Sequence, residues 1–98
     1  MEINLKRNGN ELYAAVKGEL DIQTSPDFEK EIVPALDGVE DLVLDFAELE
    51  YISSAGLRVL LKILQKMLNQ GKTTVRNVSE DIMSVLDMTG FTDDLNFE

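Results

Sequence analysis

The sequence has no cysteine and no histidine. Their absence excludes Ser-His and Cys-His nucleophilic catalysis, thiol redox chemistry, disulfides and zinc sites of the usual ligand type. Carboxylates are the only hard-metal ligands left, and a cysteine-free chain is compatible with a reducing cytoplasm. Tryptophan is missing and proline occurs twice. No apolar run approaches the roughly 20 residues of a membrane span. The start, Met1 to Arg7, has no apolar core ahead of a cleavage site, so the expected location is the cytoplasm. Basic residues are scarce: nine Lys and Arg stand against 19 Asp and Glu, for a net charge of −10. An acidic surface is a poor match for polyanionic nucleic acid or an anionic membrane, so neither is an expected partner. Its plainest consequence is solubility.

What is present is an ordinary globular balance, 44% hydrophobic and 29% charged over 98 residues. That length predicts one domain, residues 1–98, with one modest core. The charges come in blocks. Residues 18–50 carry eleven acids and the single base Lys30, residues 51–78 carry five bases and no acid, and residues 79–98 carry six acids and no base. No internal repeat is found at solenoid periods.

Apolar residues alternate around Ile3 and Leu5, and again at Leu12, Ala14 and Val16. Asn8-Gly9 between them predicts an antiparallel β-hairpin. Gly18 is expected to end the second strand. Ser25-Pro26-Asp27 predicts a helix start with Ser25 as N-cap, and Phe28, Ile32, Ala35 and Leu36 form its apolar stripe. Pro34 predicts a kink or an early end. Leu42, Leu44 and Phe46 mark a short central strand. A long amphipathic helix follows, with Leu57, Leu60, Leu61, Leu64 and Leu68 expected to face the core and Gly71 to stop it. Thr73–Val78 is a β-prone run. Ser79 caps a third helix that Gly90 ends, with Ile82, Val85 and Leu86 inward. Leu95 and Phe97 alternate as a last short strand would. The order ββαβαβα(β) predicts an α/β fold, a mixed four- or five-stranded sheet whose strand–helix–strand units pair in parallel.

No phosphate loop, dinucleotide fingerprint or EF-hand loop is present, and no cofactor or metal site is expected. Asp93-Asp94 reads as a solvated turn. One place stands apart: Ser53-Ser54-Ala55-Gly56, between a buried strand and the long helix. A serine here can cap the helix, the commoner role, or accept a phosphate that the helix end would tolerate. Gly56 would leave room for a kinase to approach. Arg58 lies near, its direction undetermined by spacing.

Four stretches, in order along nearly the whole chain, resemble the STAS domain family, and within it the small stand-alone bacterial anti-sigma factor antagonists. They are Gly18-Glu19-Leu20-Asp21; Leu42-Val43-Leu44-Asp45-Phe46 with Leu49 and Tyr51-Ile52; Ser53-Ser54-Ala55-Gly56-Leu57-Arg58; and Val85-Leu86-Asp87-Met88-Thr89-Gly90-Phe91. The resemblance implies helices packed mainly on one face of the sheet. It also implies partner switching. The unphosphorylated antagonist binds an anti-sigma factor, a GHKL-type serine kinase, and so frees a sigma factor. Phosphorylation ends the binding, and a PP2C-type phosphatase restores it. The antagonist is then substrate and ligand, not enzyme.

The family's motif at this turn reads Asp-Ser-Ser/Thr-Gly-Leu, with the phosphoacceptor two residues before the glycine, which implies Ser54 here. Ser53 stands where the family often has Asp, and Ala55 where it often has Ser or Thr. The expected partner surface comprises Glu19, Asp21, Ser53, Ser54, Ala55, Gly56, Leu57 and Arg58. Glu19 and Asp21 should share an edge with the Ser54 turn, because the strands preceding each would be parallel neighbours. The competing reading is a STAS subunit with a constant structural role in a lipid-transport or signalling complex. A small enzyme is a third possibility that the missing His, Cys and phosphate loop argue against.

Overall fold

A computed structural model describes residues 1–98, the side chain of Phe91 excepted. The elements in chain order are β1 (Glu2–Asn8), β2 (Glu11–Leu20), α1 (Ser25–Ala35), β3 (Asp41–Ile52), α2 (Ser54–Leu68), β4 (Lys72–Arg76), α3 (Glu80–Thr89), a 3₁₀ turn (Phe91–Asp94) and β5 (Asn96–Phe97). The sheet has five strands in the order β1-β2-β3-β4-β5. β1 runs antiparallel to β2, and the other neighbours pair in parallel. Each parallel step is bridged by a helix, as parallel pairing requires.

Alternation decides which face is buried. Leu12, Ala14 and Val16 of β2, and Leu42, Leu44 and Phe46 of β3, point into one core shared with Phe28 and Ile32 of α1, Leu60 and Ile63 of α2, and Ile82 and Leu86 of α3. The alternate residues of the same strands, Tyr13, Ala15, Val43 and Asp45, are only half-buried, so the helices cover one face and leave the other open.

Several elements differ in detail from the sequence pattern. The hairpin pairs Asn8 with Glu11, so its two-residue loop is Gly9-Asn10 rather than Asn8-Gly9. Gly9 alone of the two has positive φ, +63°, and a glycine at the first loop position suits a type II′ turn. β2 passes through Gly18, whose φ of +105° coincides with a register shift, and ends at Leu20. β3 runs well past the compact run that marks it, to Ile52, and two extra residues bulge it against β2. Ala15 pairs with Asp45 but Lys17 with Glu48, and Gly18 pairs with Leu49 but Glu19 with Tyr51. The buried positions of β3 accordingly change from every second residue to every third after Phe46, falling on Leu49 and Ile52.

Ser25 is the first residue of α1 and not its N-cap. Thr24 holds the cap position without a side-chain cap bond, while the buried Ser25 hydroxyl donates back to the Asp21 carbonyl. Pro34 brings α1 to its end one residue later, at Ala35. The core-facing arc of α2 is Gly56, Val59, Leu60, Ile63, Leu64 and Met67. Leu57 and Leu61 are half-buried at its margin, and Leu68 is exposed. Asn69, not Gly71, is the C-cap residue of α2. Gly71 is required for a different reason: a Cβ there would lie 1.8 Å from the Glu40 carbonyl oxygen. Ser79 caps α3 by accepting from the Ile82 amide at 3.2 Å, and Gly90 ends it. Val85 is half-buried against the core rather than within it.

Candidate functional site

Parallel pairing of β2 with β3 brings their C-terminal ends to one edge of the sheet, Leu20 opposite Ile52. The junction is closed by backbone hydrogen bonds around one residue, Ser53. Ser53 donates its amide to the Leu20 carbonyl at 2.8 Å, and its own carbonyl accepts from the Leu57 amide at 2.9 Å. Ser53 is extended (φ −92°, ψ 175°), and its hydroxyl accepts from the Gly56 amide at 3.3 Å. It is therefore the N-cap of α2, satisfying one donor that the helix start would otherwise leave free.

Ser54 is the first residue of α2, and its side chain is exposed. Ala55 and Leu57 are half-buried and Arg58 is exposed. Gly56 faces inward. A Cβ there would stand 2.8 Å from Leu20 Cγ, 2.9 Å from the Leu20 carbonyl oxygen and 3.0 Å from Ile52 Cγ1. Its smallness lets α2 press against the strand ends; being buried, it does not open the surface to an approaching enzyme, contrary to the expectation from the sequence.

Glu19, Asp21 and the Ser54 turn lie at the same edge, as expected from parallel strands. Glu19 is exposed opposite Tyr51, which is 51% exposed. Asp21 is occupied within the chain. Its Oδ1 accepts from the amides of Gln23 and Thr24, both at 2.9 Å, and the Thr24 hydroxyl donates to the Glu19 carbonyl at 2.8 Å. The Thr24 amide bond, joined by that from Gln23, holds the Asp21 carboxyl below its usual range against a smaller opposing effect of burial. The loop that carries Asp21 is thus fixed by Asp21 itself.

One residue of this edge escapes the sequence pattern. Ile22 is 76% exposed, at the rim of a groove of about 240 Å³ between α1 and α2. Ala55, Val59, Arg58, Lys62 and Glu29 line it. Lys62 is paired with Glu29 at 2.7 Å. Among the described residues Arg58 has no ion pair. The only signal for Ile22 in the sequence is an isolated apolar residue between Asp21 and Gln23, which carries no periodicity.

A second polar cluster lies on the open sheet face. Asp45 Oδ1 accepts from the Ala47 amide at 3.0 Å, which the bulge after Asp45 frees from the ladder, and from Asn77 Nδ2 at 3.2 Å. The Tyr13 hydroxyl donates to Asp45 Oδ2. Burial pushes the Asp45 carboxyl up, but the bonds from Tyr13, Ala47 and Asn77 and the charge of Arg76 outweigh it and hold the carboxyl below its usual range. The same bond to Asp45, with burial, pushes the Tyr13 hydroxyl up. Among the described residues no three acidic side chains converge as a cation site would need, and no helix is long and apolar enough to cross a membrane.

The model of the STAS domain family matches residues 2–98. A curated relative, the anti-sigma-B factor antagonist of Staphylococcus epidermidis, is 34% identical over 98 residues, covering 95% of this chain and 90% of its own. The anti-sigma-B factor antagonist of Bacillus subtilis is 27% identical over 94 residues, covering 95% and 86%. Among solved structures, an anti-sigma factor antagonist from Mycobacterium paratuberculosis superposes with a TM-score of 0.86 at 22% identity, covering 98% of this chain and 83% of that one. The Bacillus cell fate determinant SpoIIAA in its phosphorylated form superposes with a TM-score of 0.78 at 19% identity, covering 99% and 91%. At these identities the structural likeness establishes the fold.

Proposed function

Because the chain belongs to the STAS domain family, we propose that residues 1–98 act as one anti-sigma factor antagonist. In its unphosphorylated form it binds an anti-sigma factor in the cytoplasm and so releases a sigma factor. The anti-sigma factor is a GHKL-type serine kinase that phosphorylates Ser54 and thereby ends the binding. A PP2C-type phosphatase reverses the modification. The chain is substrate and ligand in this cycle, not enzyme, and needs no cofactor. The names of the curated relatives support this reading.

One observation carries the choice of serine. The Ser53 hydroxyl is engaged as the helix cap, whereas the Ser54 side chain is exposed at the first position of α2. Phosphate adds about −1.5 to −2 charge, which a helix start tolerates locally. The fold therefore survives and the effect falls on the interface, formed by Glu19, Asp21 and residues 53–58. The α1–α2 groove, with Ile22 at its rim, extends that surface.

The test is incubation with the cognate anti-sigma kinase and ATP, followed by mass spectrometry and binding measurements. Phosphate is expected on Ser54, with none on Ser54→Ala, which should stay bound. Ser54→Asp should bind at least roughly tenfold more weakly, about 1.4 kcal/mol, while melting close to wild type. Phosphate on Ser53 alone would move the acceptor. No phosphate on either serine, with unaltered binding by Ser54→Asp, would instead favour a constant structural subunit.

A further inference from the structure

We propose that Arg58 receives the phosphate of Ser54 within the same chain, so that modification both adds an anion and withdraws a free cation from the partner surface. This rests on Ser54 being the phosphoacceptor. Ser54 and Arg58 are both in α2, four residues apart and both exposed. Residues at this spacing share one face of a helix. Helical side chains lean toward the N-terminus, so Arg58 covers the turn that bears Ser54. The order also matters: an anion one turn N-terminal to a cation is the favourable arrangement.

The other cations of the helix are committed. Lys62 pairs with Glu29 of α1 and Lys66 with Asp37 beyond it. Arg58 has no such partner among the described residues, so no existing bond must break for it to turn to a phosphate. A guanidinium can meet two phosphate oxygens at once, which an ammonium cannot do in fixed geometry. The charged groups on the neighbouring elements oppose a dianion here: Glu19 and Asp21 from the end of β2 and its loop, Glu50 from β3, and Glu29 from α1. Among the described residues of α2, Arg58 is the cation without an ion pair, placed to offset them.

Arg58 is thus a positioning residue, and its effect is read on the phosphate itself. Phosphoserine would be installed at position 54 during translation, without any kinase, and the second phosphate ionisation followed by ³¹P NMR against pH. An exposed phosphoserine ionises near pH 6, roughly. Arg58→Gln should raise the midpoint by roughly 0.3 unit or more over wild type, the size of a helical i,i+4 ion pair. Arg58→Lys should fall between. The unphosphorylated Arg58→Gln chain should melt like wild type, which a purely structural arginine would not allow. Equal midpoints in wild type and Arg58→Gln would overturn the proposal, even if the kinase modifies Ser54. A kinase that ignores Ser54 would overturn the acceptor assignment and leave the measured Arg58 effect standing.

Discussion

Asp45 shows how a single carboxylate can serve the backbone and the sheet face together. The bulge in β3 frees the Ala47 amide, and Asp45 accepts it along with donors from Tyr13 of β2 and Asn77 beyond β4. Two neighbouring strands and the segment after β4 are thereby joined on the face that no helix covers. The acceptor is the charged form, so its folded ionisation lies below that of the unfolded chain, near 4. The sign of the linkage follows. Above the unfolded value both states are ionised and the stabilisation is fully present. As pH falls through the folded value, the unfolded chain has already taken up its proton and the stabilisation is lost. Asp45→Asn should therefore cost about 1–3 kcal/mol at neutral pH and show a shallower loss of stability below pH 4 or so. Denaturant unfolding from pH 7 to 2.5 checks both. Equal acid sensitivity in the two proteins would assign the acid loss to other carboxylates.

At the scale of the element, α2 separates what the sequence discloses from what it does not. Its existence, its polar face and its start after Ser53 follow from spacing and capping chemistry alone. Its orientation does not, because apolar residues occupy more than half of its circumference. Successive residues advance by about 100°. The five leucines centre roughly a quarter turn away from the arc of Gly56, Val59, Leu60, Ile63, Leu64 and Met67 that is buried. Gly56 sets the orientation, since only a residue without Cβ can meet Leu20 and Ile52 at that distance, and this contact is between elements far apart in sequence. The same distinction applies elsewhere. The parallel edge that gathers Glu19, Asp21 and Ser54 follows from strand order. The bulges of β3, the locally engaged carboxylate of Asp21 and the exposed Ile22 depend on contacts that no period encodes. Ile63→Ala should cost about 2–5 kcal/mol, as a core truncation does. Leu61→Ala, at the margin, should cost about 1 kcal/mol or less, and Leu68→Ala almost nothing. Equal losses at Ile63 and Leu61 in denaturant unfolding would show that α2 sits with its leucine face inward after all.

The charge blocks act on the molecule as a whole. The acidic segment over residues 18–50 meets the basic α2 through Lys62–Glu29 and Lys66–Asp37, surface pairs worth up to about 1 kcal/mol each. They neutralise little of the net −10. The remaining field attracts a basic partner before contact and acts on association more than on the finished complex. Glu19 is exposed at the strand end beside the Ser54 turn, so it should contribute to that attraction directly. Asp21 should contribute less separably, because its Oδ1 also holds the loop. Replacing it by Asn keeps an oxygen for the Gln23 and Thr24 amides and removes only the charge, whereas Ala would remove both. With the anti-sigma factor, the association rate of the wild-type chain should fall as ionic strength rises past the point where the screening length is about 10 Å, near 0.1 M. Glu19→Gln should associate more slowly than wild type at low salt, and the two rates should converge at high salt with little change in dissociation. Asp21→Asn should do the same with a small loss of stability at neutral pH, because the Gln23 and Thr24 amides favour the charged carboxyl. Stopped-flow association across a salt series reads all three quantities. A wild-type rate indifferent to salt, or a Glu19→Gln rate equal to it at low salt, would mean that the partner approaches this edge without a basic surface.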